Sequence, residues 1–147
     1  MELSVIDYTS PYYTQVTDLR NRILRIPLGL NLFDENLNDD KNQYIIIILK
    51  DEKVLACVML SILDKETVKV RQMAVESDKQ GQGYGTLLMR YAENFCVLND
   101  YFILELHARI TAKAFYEKLG YDTVGREFEE VSIPHIKMVK QLPITRL

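Results

Sequence analysis

The chain has 147 residues, 48% hydrophobic and 27% charged, with four prolines and six glycines, which is the balance of one globular domain spanning 1–147. Its net charge of −3 argues against sequence-independent binding to nucleic acid, which rests on basic patches. No apolar run reaches the ~18 residues of a membrane span, nothing at the N-terminus reads as a targeting segment, and Cys57 and Cys96 read as reduced core thiols of a cytosolic protein.

Residues 2–7 alternate as a first strand. Ser10-Pro11 then offers an N-cap with proline at the first helical position. Tyr12, Val16, Leu19, Ile23 and Ile26 follow on one helical face, which Pro27 and Gly29 end. Residues 29–43, with Asp34, Glu35, Asp39 and Asp40, form the most loop-like stretch. Tyr44–Leu49, Val54–Leu63 and Thr67–Val75 are strand-like runs joined by short polar turns, an antiparallel meander. From Thr86 onward, Leu87, Tyr91 and Phe95 beside Leu88, Ala92 and Cys96 make two helical rows. Phe102–His107 reads as a strand. Ala112, Phe115, Tyr116 and Leu119 read as a short helix ended by Gly120. Tyr121–Gly125 and His135–Leu142 complete a pair of strands. The order predicts an α+β fold, a mixed α/β layer rather than a doubly wound sheet.

Between the third meander strand and the following helix lies Val75-Glu-Ser-Asp-Lys-Gln-Gly-Gln-Gly-Tyr-Gly85. Glycines at 81, 83 and 85 bare the main chain at a helix start, where freed N–H groups and the helix dipole suit a phosphate or pyrophosphate. A P-loop is excluded because no lysine follows the last glycine. A dinucleotide fingerprint would need glycine where Thr86 stands, although Glu105 lies about 20 residues on, as that fold would have it. A tight turn without a ligand is the remaining alternative.

Gln80-Gly-Gln-Gly83-Tyr-Gly85 resembles the [Q/R]-x-x-G-x-[G/A] signature of the GCN5-related N-acetyltransferase (GNAT) family. Met73-Ala74-Val75 and Leu104-Glu-Leu-His-Ala108 sit where that family has its fourth and fifth strands. Ala112-Lys-Ala-Phe-Tyr116-Glu-Lys-Leu-Gly120-Tyr121 is similar to its A-x-x-[LF]-Y-x-[KR]-x-G-[FY] motif, and Ile133-Pro-His-Ile-Lys-Met138 to the ending of one bacterial branch. The resemblance implies a GNAT-like acyl-CoA N-acyltransferase fold, with helices on both faces of a mostly antiparallel sheet splayed between strands 4 and 5. It also implies acetyl-CoA as co-substrate. The pyrophosphate would take N–H groups of Gln80, Gly81, Gln82, Gly83, Tyr84, Gly85 and Thr86, and the pantetheine arm would pair with Met73, Ala74 and Val75. Ala112, Phe115 and Tyr116 would complete the cofactor contacts. Two positions depart from the family pattern: Arg109 stands where many members have asparagine, and Ser132 where the bacterial branch usually has glycine.

The same resemblance makes Tyr116 the general acid for the leaving thiolate, a role that suits a phenol of pKa ~10. A core tyrosine on an amphipathic helix is the alternative. Glu105 and His107 share one face of their strand, opposite Leu104, Leu106 and Ala108, and with His135 they are candidates for the base. Structural histidines, or a water chain to solvent, remain open beside them. No metal site is expected, since the histidines lie 28 residues apart and the cysteines 39. Arg20, Arg22 and Arg25 would favour an anionic acceptor, whereas the acidic stretch from Asp34 would favour a cationic one. The overall expectation is direct transfer to a small-molecule or peptide amine, with a homodimer compatible and no membrane or nucleic-acid partner. The alternative is a non-catalytic CoA-sensing module.

Overall fold

The computed structural model describes residues 1–144. The elements are β1 (Glu2–Ile6), α1 (Tyr13–Leu24), β2 (Gln43–Lys50), β3 (Lys53–Ile62), β4 (Thr67–Val75), α2 (Tyr84–Leu98), β5 (Ile103–Arg109), α3 (Lys113–Lys118), β6 (Asp122–Glu130) and β7 (Ile133–Gln141). The fold is α+β, as the element order predicted. Its seven-stranded, mostly antiparallel sheet runs β1-β2-β3-β4-β5-β7-β6 and holds one parallel pair, β4 with β5.

The chain divides into two compact units. The first comprises Met1–Ser61 and Gln72–Ala92. In it β1 pairs antiparallel with β2, from Glu2↔Leu49 to Ile6↔Ile45, and β2 with β3. Ile45, Ile46, Ile47 and Ile48 are all fully buried, so both faces of β2 are covered, which explains its unbroken apolar run. α1 lays Val16 and Leu19 into a core with Ile45, Ile47, Cys57, Met59 and Ala74. The second unit comprises Ile62–Arg71 and the chain from Glu93 onward. There β4 pairs parallel with β5 over Thr67↔Ile103 to Val70↔Leu106, β5 pairs antiparallel with β7, and β7 with β6.

Several boundaries differ from the sequence reading, each for a local reason. Ser10 does not cap α1. Its hydroxyl accepts from the Tyr12 N–H at 3.1 Å and its carbonyl from the Tyr13 N–H at 3.1 Å, closing a turn ahead of the helix. β6 runs on to Glu130, because Gly125, at φ +77°, lies within a bulge rather than ending the strand. Residues 29–43 are not a slack loop. Asn21 Oδ1 accepts from the Leu32 N–H at 2.8 Å, Arg25 holds Glu35 at 2.7 Å, and Arg20 holds Asp40 at 2.7 Å.

Two hairpins turn on residues that disfavour the geometry. Asp51 and Glu52 (φ +51° and +62°) join β2 to β3, and Val131 and Ser132 (φ +46° and +66°) join β6 to β7. Consecutive left-handed residues are the type I′ arrangement, which Asn-Gly suits and β-branched valine resists. Replacing Val131 by Asn together with Ser132 by Gly is expected to stabilise the fold by about 1 kcal/mol, read as a rise of ~2–4 °C in thermal unfolding. Leu19→Ala, which opens a cavity beside fully buried neighbours, is expected to cost about 3 kcal/mol in chemical denaturation.

Candidate functional site

In the first unit, β4 ends at Met73-Ala74-Val75, with Ala74 buried and Met73 and Val75 half-buried. The chain then makes a single 3₁₀ turn, Ser77–Lys79, and enters α2 at Tyr84. Gly81 and Gly83 hold φ of +75° and +87°, conformations that L side chains resist. A Cβ added at either meets nothing within 4 Å, so the space above the main chain is open. Gly85 differs, lying within the first turn of α2. The Leu87 N–H donates to Gly83 O at 3.1 Å, so the first-turn N–H groups before it precede the helix's own ladder. N–H groups so placed at a helix start suit an anion.

The loop is braced by its own side chains. The Gln80 amide donates to Val75 O at 3.1 Å and the Gln82 amide to Asp78 O at 2.9 Å. At its root, Arg22 grips Glu76 with two bonds, Nη1 to Oε1 at 2.6 Å and Nη2 to Oε2 at 3.1 Å, while its Nε reaches Asp18 at 2.8 Å. The Arg22 hydrogen bond holds the Glu76 carboxyl below its usual range and outweighs the opposing effect of burial. A cavity of about 760 Å³ lies between Gln15, Arg22, Glu52, Leu55, Glu76 and Lys79. None of the loop glycines lines it.

Arg20 and Arg22 of α1, and Arg25 at its C-terminal cap, are engaged within the fold and do not advertise the charge of a substrate. Arg20 pairs with Asp40, Arg25 with Glu35 and Arg22 with Glu76. Two of the four acids of the stretch 29–43, Glu35 and Asp40, are thereby neutralised by Arg25 and Arg20. Arg20, at 3% exposure, is no solvated surface residue.

In the second unit, β5 alternates as expected: Leu104, Leu106 and Ala108 are buried, and Glu105, His107 and Arg109 share the other face. Strand register brings that face to the β6–β7 hairpin, where Arg109 pairs with His135 across β5–β7 and Phe128 with His135 across β6–β7. His107 Nδ1 lies 3.0 Å from Glu130 Oε1, and His135 Nε2 lies 3.8 Å from Glu130 Oε2. His135 Nδ1 donates to Ile133 O at 2.9 Å. Phe128 meets the His107 ring edge-on at 4.9 Å and stacks on His135 at 6.1 Å. Glu105 faces Lys137 at 3.6 Å. Burial would raise the Glu130 carboxyl, but the His107 hydrogen bond and the charges of His107, His135 and Lys69 together bring it below its usual range.

Ala112 ends a 3₁₀ turn that leads into α3, and α3 carries Phe115 and Tyr116 with their rings edge-to-face at 4.9 Å. Tyr116 also packs on Tyr121 at 5.9 Å, and burial pushes its hydroxyl up to about 12. The Tyr121 hydroxyl donates to Glu93 at 3.0 Å, and burial raises its pKa as well. Both cysteines are buried, and burial pushes each thiol up to about 12. Glu130 and Phe128 are the residues that sequence reasoning had not placed in a site. Their only signal was their position just upstream of Ile133-Pro-His135.

Comparisons with known proteins agree with this architecture. The family model for the acetyltransferase (GNAT) domain matches residues 30–142. An uncharacterized acetyltransferase of Streptococcus pyogenes is 28% identical over 98 residues, 67% of this chain and 66% of that protein, so the match spans just under two thirds of the relative's own length. The crystal structure of Escherichia coli ElaA superposes with a TM-score of 0.83 at 22% identity, covering 96% of this chain and 100% of that one. An aminoglycoside 6′-N-acetyltransferase complexed with coenzyme A superposes at 0.74 with 18% identity, covering 96% and 97%.

The raised tyrosines set a pH limit. A folded-state pKa above the unfolded value of ~10 adds stability that is complete below pH ~10 and is lost as pH rises through the folded value. Ultraviolet difference titration is expected to show the buried Tyr116 phenol ionising near 12, with unfolding setting in between pH ~10 and 12.

Proposed function

We propose that this chain, which belongs to the acetyltransferase (GNAT) domain family, moves an acetyl group from acetyl-CoA to a primary amine of a small molecule or peptide. The observation that carries the reading is the loop of residues 76–86, whose left-handed Gly81 and Gly83 open onto unobstructed space ahead of α2. Coenzyme A bound to the aminoglycoside acetyltransferase of like fold supports the choice of cofactor. The whole chain then acts as one catalytic domain in the cytosol, with no metal in the chemistry.

Gln80 to Thr86 offer N–H groups to the pyrophosphate, and the main chain of Met73 and Val75 pairs with the pantetheine arm. A main-chain N–H at Met73 to Ala74 serves the developing oxyanion. Ala112 and Phe115 complete the cofactor contacts. Glu105, His107 and His135 are the candidates for taking a proton from the amine. Tyr116 supplies the proton that the leaving thiolate needs; burial pushes its hydroxyl up to about 12, so it carries that proton at neutral pH. Neither cysteine suits a covalent acyl relay, since the thiolate is the nucleophile and both thiols are buried and held protonated. Transfer is therefore direct, within a ternary complex.

Tyr116→Phe is expected to lower kcat about 100-fold with acetyl-CoA binding intact, measured as thiol release from acetyl-CoA with polyamine, aminoglycoside, amino-sugar and peptide acceptors. An unchanged rate would remove the general-acid assignment. Binding without transfer to any of these amines would favour the sensing module. Gly83→Ala is expected to weaken coenzyme A binding at least tenfold by calorimetry while costing about 1 kcal/mol of stability, because a Cβ there enters both a strained φ and the space an anion needs.

A further inference from the structure

The three candidates for the base are not equivalent in the structure. Glu105 faces Lys137 across 3.6 Å, its side chain only 17% exposed. His135 is 5% exposed and has both ring nitrogens turned to acceptors, Nδ1 to Ile133 O and Nε2 to Glu130. His107 remains 24% exposed, and only its Nδ1 is engaged, by Glu130 at 3.0 Å. Among the described residues its Nε2 has no partner.

That asymmetry fixes a tautomer. An ionised carboxylate can only accept a hydrogen bond, so the His107 Nδ1 facing Glu130 carries the proton. In the neutral ring the lone pair then sits on Nε2. The edge of Phe128 at 4.9 Å and an interplanar angle of 76° restrains the ring plane. His135 Nε2 lies 3.8 Å from the other oxygen of the same carboxylate. The surrounding charges come from every adjoining strand: Lys69 and Arg71 on β4, Glu105 on β5, and Lys137 on β7. Lys69 bears on Glu130 from outside the histidine pair.

We propose that His107 Nε2 is the proton acceptor for the incoming amine and that Glu130 is the positioning residue that holds His107 in this tautomer. The proposal rests on the transferase reading above. An acceptor amine arrives as R–NH3⁺ and gives one proton to His107 Nε2, which passes it to solvent. The neutral nitrogen attacks the acetyl carbonyl and the C–N bond forms. As the C–S bond breaks, Tyr116 gives its proton to the sulfur and the amide nitrogen loses its second proton, which restores the phenol. The products are the acetamide, the CoA thiol and one released proton, so charge and atoms balance.

Two measurements on the intact chain decide the matter. The first follows thiol release from acetyl-CoA with spermidine, kanamycin, glucosamine and a tripeptide between pH 6 and 10, for wild type, His107→Gln and Glu130→Gln. His107→Gln is expected to lower kcat about 100-fold at pH 7, with the loss narrowing toward pH 10 as the amine deprotonates unaided. Glu130→Gln is expected to lower it about tenfold, because the neutral amide also accommodates the wrong tautomer. The second measurement, ¹⁵N NMR of the ring nitrogens, needs no turnover. It is expected to show His107 with the proton on Nδ1 in wild type and a mixture of tautomers in Glu130→Gln. A wild-type rate and pH profile in His107→Gln would overturn the base assignment alone. A ring protonated on Nε2 in neutral wild-type protein would overturn the role of Glu130. Wild-type protein that releases no thiol with any of these amines would overturn the transferase reading, and the base assignment with it.

Discussion

The structure turns on one residue in the middle of a strand. Gln72 holds φ at +55° inside β4, a left-handed conformation that departs from the regular extended strand. β4 is nine residues long, yet its parallel pairing with β5 involves only Thr67 to Val70. The carbonyl of Gln72 accepts a weak bond from the Cys57 thiol at 3.9 Å, and its buried side-chain oxygen has no partner among the described residues. Strain and unsatisfied polarity at one position are costly, of order 1–3 kcal/mol each, and persist only where surrounding packing enforces them. One of the three points where the chain passes between the two compact units falls between Arg71 and this residue. One strand thereby serves two neighbourhoods: its first half lies with the histidine and glutamate cluster of the second unit, and its second half leads into the glycine loop of the first.

A second theme is charge spent on folding. α1 carries arginines at 20 and 22, Arg25 follows as its C-terminal cap, and each is joined to a carboxylate from a later segment: Asp40, Glu76 and Glu35 in turn. Arg20 and Asp40 are almost wholly buried, so removing either would leave an uncompensated ion, a loss of several kcal/mol. These pairs fasten the irregular segment between α1 and β2 and the root of the glycine loop to a single helix. They also explain why bulk charge says little about ligands here: all three arginines already face carboxylates of the same chain.

The parts legible in the sequence were those decided locally. The glycine loop is written in consecutive residues, and left-handed Gly81 and Gly83 sit where bare main chain was expected. The apolar run of β2 and the alternation of β5 report burial directly. The start of α1 was misplaced, because the hydroxyl and carbonyl of Ser10 can close a turn as readily as cap a helix. The extent of β6 was missed because Gly125 reads as a terminator, although a bulge lets the strand continue. Least legible was the meeting of His107 with Glu130. The two residues are separated by 23 positions and joined only through the register of β5 on β7 and β7 on β6. That register hangs on Val131-Ser132, a turn without the glycine that would have announced it.

The glutamine braces of the glycine loop carry a consequence for kinetics. With Gln80 fastened to Val75 and Gln82 to Asp78, the main chain is already shaped when a ligand arrives. The entropy of ordering that segment is lost during folding, not during association. Any anion that such a loop accepts would have no closure to wait for, so its capture would be governed by diffusional encounter and its selectivity by the lifetime of the complex.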